Sequence, residues 1–105
     1  MYVPTAFSQP ARFEAAVKRA AQHLPHDVVS VIPTLGNDWR EEPAVFFMVI
    51  LEDAASQRAR LLSISNQVSQ AIVEQVQPLE QWAVLPYFNF RSRSEQAKLN
   101  QPTLA

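Results

Sequence analysis

The strongest constraint on the fold is an unbroken run of eight apolar residues, residues 44–51, which reads AVFFMVIL. A run of this length, rich in β-branched and aromatic residues, is typical of a strand that is buried on both faces. Phe47 and Val49 would lie on one face of this strand, and Phe46 and Met48 on the other. We therefore expect both faces to be covered, one of them by a long helix.

A helix is predicted over residues 9–23, ahead of the apolar run. Ser8 can cap its first turn, and Pro10 is favoured there because its missing N–H would have no partner. Pro25 ends the helix, since the residue before a proline is pushed out of the helical backbone angles. The apolar stripe of this helix consists of Phe13, Val17, Ala20 and Leu24.

A second, longer helix is predicted over residues 55–76. Asp53 or Ser56 can cap its first turn, and Pro78 stops it. Apolar residues recur through this stretch with a period close to 3.6, which indicates a helix that packs one face on a core. This stripe consists of Leu61, Ile64, Val68, Ile72 and Val76.

Two more strands are predicted around these elements. Residues 28–32 form a short β-branched stretch that Pro33 should stop, and residues 34–43 have the polar composition of a loop. The stretch 79–90 is aromatic and strand-like, but it contains Pro86. It therefore suits an edge strand or two short pieces.

These elements predict an α+β fold, with a small mixed sheet of about three strands and two main helices packed on it. The predicted order is α-β-β-α-β, followed by a short last helix over residues 94–99. The first two strands would be antiparallel, and the crossover helix would bring the third in parallel. Residues 1–105 are expected to form one domain, with residues 100–105 as a free tail.

Composition limits the functions that are open to the chain. The formal net charge is -1 and the pI is near 6.1, so no bulk field favours nucleic acid or an anionic membrane. The absence of cysteine excludes a thiolate nucleophile, and a single glycine excludes the glycine-rich phosphate loops. No apolar run approaches the roughly 20 residues of a membrane span, and the first residues lack the pattern of a signal peptide. We therefore expect a cytoplasmic protein that does not contact membranes.

The charged side chains form no arrangement that predicts catalysis. His23 and His26 could ligate a metal with Asp27, but Pro25 between them breaks the helical register that would place both rings together. The acidic residues around the apolar run could bind Mg²⁺ or a basic partner, although a solvated loop and a helix cap also explain them. They are Asp38, Glu41, Glu42, Glu52 and Asp53. We predict no catalytic residue, no metal ligand and no cofactor.

Candidate interaction residues lie in the polar loop and in the last strand. Trp39 either folds back onto the core or belongs to an interface, because a large aromatic is costly to leave in water. Alternation along residues 87–90 places Tyr87 and Asn89 on one face and two phenylalanines on the core side. The arginines that follow could hold phosphates next to these aromatics, which would suit a single-stranded nucleic acid, but we consider that partner the less favoured one. The predicted interaction residues are Trp39, Arg40, Tyr87, Asn89, Arg91 and Arg93.

The order of the predicted elements resembles a minimal nucleotidyltransferase domain of the polymerase-β type, over residues 9–90. In that family the loop carries a Gly-Ser pair, and the next strand carries a D-x-D pair that holds the catalytic metal. Here Gly36 is followed by Asn37, and the start of the next strand is apolar. The resemblance therefore implies a degenerate, non-catalytic copy, and no catalytic residue carries over.

The sequence favours a small non-enzymatic protein that binds another protein or itself, with a dimer expected. A short sheet leaves edges and surfaces that must be covered, which motivates this prediction. The alternatives are a degenerate nucleotidyltransferase-like domain that binds nucleotide through Asp38, Glu52 or Asp53, and a weak binder of single-stranded nucleic acid through Arg91 and Arg93.

Overall fold

The computed structural model describes residues 3–99 and confirms the α+β fold. A 3-10 turn, Asp53–Ser56, separates the second strand from the longest helix. The elements in chain order are α1 Thr5–Ser8, α2 Pro10–Ala21, β1 Val28–Asn37, β2 Pro43–Leu51, α3 Arg58–Val76, α4 Pro78–Trp82, β3 Leu85–Ser92 and α5 Arg93–Leu99. The predicted tail over residues 100–105 lies outside the described residues.

The strands form one mixed sheet in the order β1-β2-β3, so β2 is central. β1 is antiparallel to β2, with Leu35 opposite Val45 and Val31 opposite Val49. β3 is parallel to β2, with Phe88 opposite Phe47. The predicted mixed three-stranded sheet is confirmed, with both outer strands as edges.

The core lies between one face of the sheet and the helices α2 and α3. On β2 this face consists of the odd-numbered positions, and Phe47 is only 1% exposed. Its ring stacks on Phe88 at 5.0 Å between centroids, and Phe13 of α2 meets Trp82 edge-on at 5.2 Å. The buried helix residues are Phe13, Val17 and Ala20 of α2, and Ile64, Val68, Ile72 and Val76 of α3. Both predicted stripes therefore pack on the core, and we call this side the helix-covered face.

The prediction that β2 is covered on both faces was wrong for the middle of the strand. Phe46 and Met48, on the other face, remain half-buried, and the main core cluster does not include them. Ile50 is 3% exposed. It lies opposite Arg91, at the end of the strand where α5 contacts the sheet. The apolar run therefore has one fully covered face and one face that is buried at its two ends, at Ala44 and Ile50, and half-buried between them.

The first strand is longer than predicted, because it continues through Pro33 and Gly36 to Asn37. Pro33 is tolerated because β1 is an edge strand, where the ladder with β2 uses only one side of the backbone. Gly36 lies opposite Ala44, and its backbone angle is ordinary for any residue. The connection between β1 and β2 therefore shrinks from the predicted ten residues to residues 38–42.

Several predicted helix ends were also wrong. The residues at the N-caps of α2 and α3 are Gln9 and Gln57, and neither side chain makes a capping hydrogen bond. Ser8 lies in α1 and bonds to Thr5, so it does not cap α2. The stretch after Pro78 begins as the helix α4 and not as strand, and β3 starts only at Leu85.

Candidate interaction site

The face of the sheet opposite α2 and α3 presents apolar side chains that no helix covers in the middle of the sheet. Residues that are directly opposite each other in adjacent strands lie on the same side of the sheet. On this side Ile32 is opposite Met48, and Phe46 is opposite Tyr87. Ile32 is 44% exposed, which is high for an apolar residue inside a strand. We call this surface the open sheet face, and it consists of Ile32, Thr34, Phe46, Met48, Tyr87, Asn89 and Arg91.

The loop over residues 38–42, here called the Trp39 loop, lies at one end of the open sheet face and is held by Asp38. The side chain of Asp38 is fully buried. Its Oδ1 accepts hydrogen bonds from the N–H groups of Arg40 at 2.8 Å and Glu42 at 3.0 Å. Its Oδ2 accepts a hydrogen bond from the Tyr87 hydroxyl at 2.7 Å. One carboxylate therefore closes the loop and also bonds to β3. Closing a tight turn is a common role of aspartate, and the bond to Tyr87 adds a contact between segments that are distant in the sequence.

The electrostatics of this contact favour an ionised Asp38 and a neutral Tyr87. Burial opposes ionisation of Asp38, but the hydrogen bonds from Tyr87, Glu42 and Arg40 outweigh it and hold the pKa of Asp38 below its ordinary value. The hydrogen bond to Asp38, together with burial, raises the pKa of Tyr87. Both groups thus keep the protonation states that the bond requires across the neutral range.

Trp39 lies on this loop with 77% of its surface exposed, so it does not fold back onto the core. Its ring meets the ring of Tyr87 edge-on, with centroids 5.5 Å apart. The Tyr87 ring in turn lies beside Phe46, nearly parallel at 5.5 Å. The guanidinium of Arg40 is 5.6 Å from the Trp39 ring, in the range of a cation–π contact. The result is an ordered row of three aromatic rings that ends in an exposed tryptophan.

The structure brings together most of the interaction residues that the sequence predicts. Trp39, Arg40 and Tyr87 are in mutual contact. Asn89 is exposed on the same face, and Arg91 follows it there, with its Nη1 donating to Gln96 of α5 at 2.8 Å.

Arg93 lies elsewhere, on α5, where it pairs with Glu52 at 2.9 Å. It is therefore not in contact with the cluster around Trp39.

Three residues of the site were assigned other roles from the sequence. Phe46 and Met48 were expected in the core, and Asp38 was considered as a ligand for a metal or nucleotide, as a contact for a basic partner, or as a solvated loop residue. Their place follows from the register, since Phe46 is opposite Tyr87 and Asp38 bonds to it. The alternation of β3 was the available signal, because it had already placed Tyr87 and Asn89 on the side away from the core.

Two of the other acidic residues considered as ligands, Glu52 and Asp53, are engaged in structural contacts. Glu52 pairs with Arg93, and Asp53 accepts hydrogen bonds from the N–H and the hydroxyl of Ser94. These bonds lower the pKa of Asp53. Within residues 3–99, no three histidine or acidic side chains converge in a way that could hold a metal ion.

Comparisons with protein-family models, with curated proteins and with solved structures found no match for this chain. Within the described part of the chain, no helix is both long enough and apolar enough to cross a membrane.

Proposed function

We propose that this chain is a non-enzymatic interaction protein that binds another protein, or a second copy of itself, through the open sheet face and the Trp39 loop. The observation that carries the proposal is an exposed tryptophan whose ring packs edge-on against Tyr87. Tryptophan, tyrosine and arginine are the residues most enriched in binding hot spots, and Trp39, Tyr87 and Arg40 lie in contact here. An ordered side chain also loses less conformational entropy on binding than a mobile one.

The edges of the sheet favour association through its face. Both edge strands contain a proline, Pro33 in β1 and Pro86 in β3. A proline has no N–H to donate to an added strand, and edge prolines are a common way of preventing strand addition. Strand addition is therefore disfavoured, and the open sheet face presents Ile32, Phe46 and Met48 to a partner instead.

Affinity capture tests this proposal. Purified wild type, Trp39→Ala and Leu62→Ala are each immobilised as bait and incubated with the native cell lysate. Leu62 is a matched control because it is 73% exposed but lies on α3, on the other side of the sheet. We expect wild type and Leu62→Ala to retain the same protein, or to self-associate equally. Trp39→Ala should lose at least 70–90% of this binding, which corresponds to about 1 kcal/mol or more at a hot spot. Binding that survives Trp39→Ala, or no binding of either kind, would contradict the proposal.

The nucleotide-binding alternative stays a prediction with its own test. It would use Asp38, Glu52 or Asp53, each of which is engaged with a side chain of this chain. A nucleotide that binds only the folded state stabilises it by about 2.7 kcal/mol at a hundredfold excess over its dissociation constant. The absence of a thermal shift with nucleotides and Mg²⁺ would contradict this alternative.

The nucleic-acid alternative depends on Arg91 and Arg93. Their guanidinium groups bond to Gln96 and Glu52 in the structure. If these arginines bind phosphates, retention of single-stranded oligonucleotides should fall steeply with salt and should be abolished by the double change Arg91→Ala and Arg93→Ala. Retention that is insensitive to salt would contradict this reading.

A further inference from the structure

We infer that the partner contacts the Trp39 loop with a basic segment, whose lysine or arginine side chains pack on the Trp39 ring and pair with the glutamates beside it. This inference rests on the proposed function and names the chemistry of the partner. It concerns only the end of the open sheet face that carries the Trp39 loop, which we call the loop end.

The Trp39 loop carries a local excess of negative charge. Asp38 and Arg40 form an ion pair at 3.6 Å and compensate each other. Glu41 and Glu42 are both exposed, and neither forms an ion pair with any residue in the range 3–99. The loop therefore presents two glutamates that are not paired with a cation within this range.

The strands next to the loop supply no opposite charge. Arg91, the arginine of the open sheet face, is four residues beyond Tyr87 in β3, which is about 13 Å along the strand. This distance exceeds the screening length of about 8 Å at physiological ionic strength, so Arg91 compensates the glutamates only weakly. The strand residues at the loop end are all uncharged: Gly36, Asn37, Pro43, Ala44, Leu85 and Pro86.

The tryptophan and the two glutamates belong to one small patch. The N–H of Asp38 donates a hydrogen bond to the carbonyl of Glu42 at 2.9 Å, so the loop is closed at its base. Trp39 and Glu42 are three residues apart, and their Cα atoms are therefore at most about 11 Å from each other. A partner that covers the Trp39 ring thus comes within reach of both glutamates.

Lysine and arginine suit both parts of this patch. Their charged groups can pair with the glutamates, while their carbon chains and cations pack on tryptophan, the ring that binds cations best. The structure contains one contact of this kind already, because the Arg40 guanidinium is 5.6 Å from the centre of the Trp39 ring. An acidic segment or the phosphates of a nucleic acid would be repelled at the same place.

Panning a random peptide library on immobilised wild type, with counter-selection on Trp39→Ala, tests the chemistry of the partner. We expect the peptides that require Trp39 to contain an excess of lysine and arginine over aspartate and glutamate. Peptides that require Trp39 without such an excess, or the absence of any peptide that requires Trp39, would overturn the inference.

Charge reversal tests the role of the glutamates with the tightest of these peptides. Glu41→Lys combined with Glu42→Lys should weaken its binding at least about tenfold, and should remove the fall of affinity with salt that wild type shows. The control, Glu14→Lys with Glu74→Lys, makes the same change in net charge on α2 and α3, on the other face of the sheet. It should change the affinity less than about twofold. Equal effects of the two double variants would overturn the inference.

Glu41→Gly separates a loss of binding from a loss of fold. Glu41 has a φ of 64°, in the left-handed region where glycine is favoured over residues with a Cβ. This variant should therefore be at least as stable as wild type in urea, and yet bind the peptide about two- to fivefold more weakly, because one exposed ion pair is lost. Unchanged binding would exclude Glu41 from the contact, contrary to the inference.

These results are separable from the test of the proposed function. If the capture experiment retains a protein in a Trp39-dependent manner but the selected peptides are neutral or acidic, the inference fails and the interaction function stands. A Trp39-dependent dimer of wild type in sedimentation equilibrium would identify a second copy as the occupant, with the same consequence. If no protein, second copy or peptide binds through Trp39, both proposals fail.

Discussion

A single carboxylate, that of Asp38, bonds both to the loop that carries Trp39 and to Tyr87, on which the Trp39 ring packs. One of its oxygens is bonded to the backbone of the Trp39 loop and the other to the Tyr87 hydroxyl. Tyr87→Phe removes only the second bond and keeps the ring that Trp39 packs on. We expect the chain to stay folded while Trp39 becomes more mobile, because the loop is then tied to β3 by ring contact alone.

Fluorescence anisotropy and acrylamide quenching of Trp39 measure this change, in a Trp82→Phe background so that only one tryptophan reports. Tyr87→Phe should lower the anisotropy and raise the quenching constant. Unchanged values would show that packing on the ring, and not the bond to Asp38, orders the tryptophan.

The same bond gives the stability a defined dependence on pH. The pKa of Asp38 is lowered in the folded chain, so its contribution is complete above its ordinary pKa of 3.8 and is lost as the pH falls below that value. The pKa of Tyr87 is raised, so its contribution is complete below its ordinary pKa of 10.0 and is lost as the pH rises beyond it. Urea unfolding should therefore show a stability difference between wild type and Tyr87→Phe that is constant between these limits and shrinks outside both. A difference that is independent of pH would contradict this assignment.

Phe47 is the residue whose truncation should cost the fold most. It is 1% exposed, it lies in the central strand, and its ring stacks on Phe88. Phe47→Ala should lower the free energy of unfolding by about 3 to 5 kcal/mol, out of the roughly 5 to 15 kcal/mol typical of a domain. Urea unfolding measures the loss, and Trp39→Ala is the control that should leave stability nearly unchanged. The reverse order of effects would contradict the assignment of core and surface.

At the scale of single residues, the sequence predicted the exposed residues of the site better than the residue that holds them, Asp38. The alternation of apolar and polar positions in β3 correctly placed Tyr87 on the open side. It could not indicate that Asp38, 49 residues away in the chain, accepts the Tyr87 hydroxyl. Such a contact depends on which segments become neighbours in the folded sheet, and neither segment alone specifies its neighbour.

At the scale of elements, the periodic segments were predictable and the boundaries were not. The stripes of α2 and α3 and the apolar run of β2 each repeat a pattern over many residues, and all three form as expected. β1 was predicted too short because Pro33 was treated as a stop, although an edge strand tolerates it. α4 was missed because its five residues are too few to show a helical period.

The last helix, α5, is short and is held in place by hydrogen bonds and not by buried side chains. It has seven residues and none of those described is buried. Its start is held by bonds from Ser94 to Asp53 and from the Ser92 N–H to Glu95, which link α5 to the 3-10 turn and to β3. We expect Asp53→Ala to destabilise this helix locally, because isolated helices of this length are marginal in water.

Hydrogen exchange followed by NMR tests this expectation. The amides at the start of α5 should exchange faster in Asp53→Ala, while those of α3 should keep their protection. Ser63→Ala, an exposed change within α3, is the control. Equal protection of α5 in wild type and Asp53→Ala would mean that Asp53 does not hold this helix.

At the scale of the whole molecule, the sequence could not predict which layers cover the sheet. The apolar residues on both faces of β2 indicate that both faces avoid water, but they do not specify what covers each face. The two long helices, α2 and α3, pack on the same face and leave Phe46 and Met48 half-buried on the other. Under the proposal above, the second layer comes from another molecule, which patterns within one chain do not reveal.

The prolines in the edge strands, Pro33 and Pro86, have a further expected consequence, which concerns open-ended assembly. Each copy can use its sheet face once, so an assembly through faces stops at a pair. An open strand edge can instead recruit further copies edge to edge. We expect Pro33→Val combined with Pro86→Val to allow such open-ended growth, seen as rising light scattering and thioflavin T fluorescence on standing, while wild type and Leu62→Lys stay at a constant size. If the double variant also stays at a constant size, something other than the two prolines terminates growth.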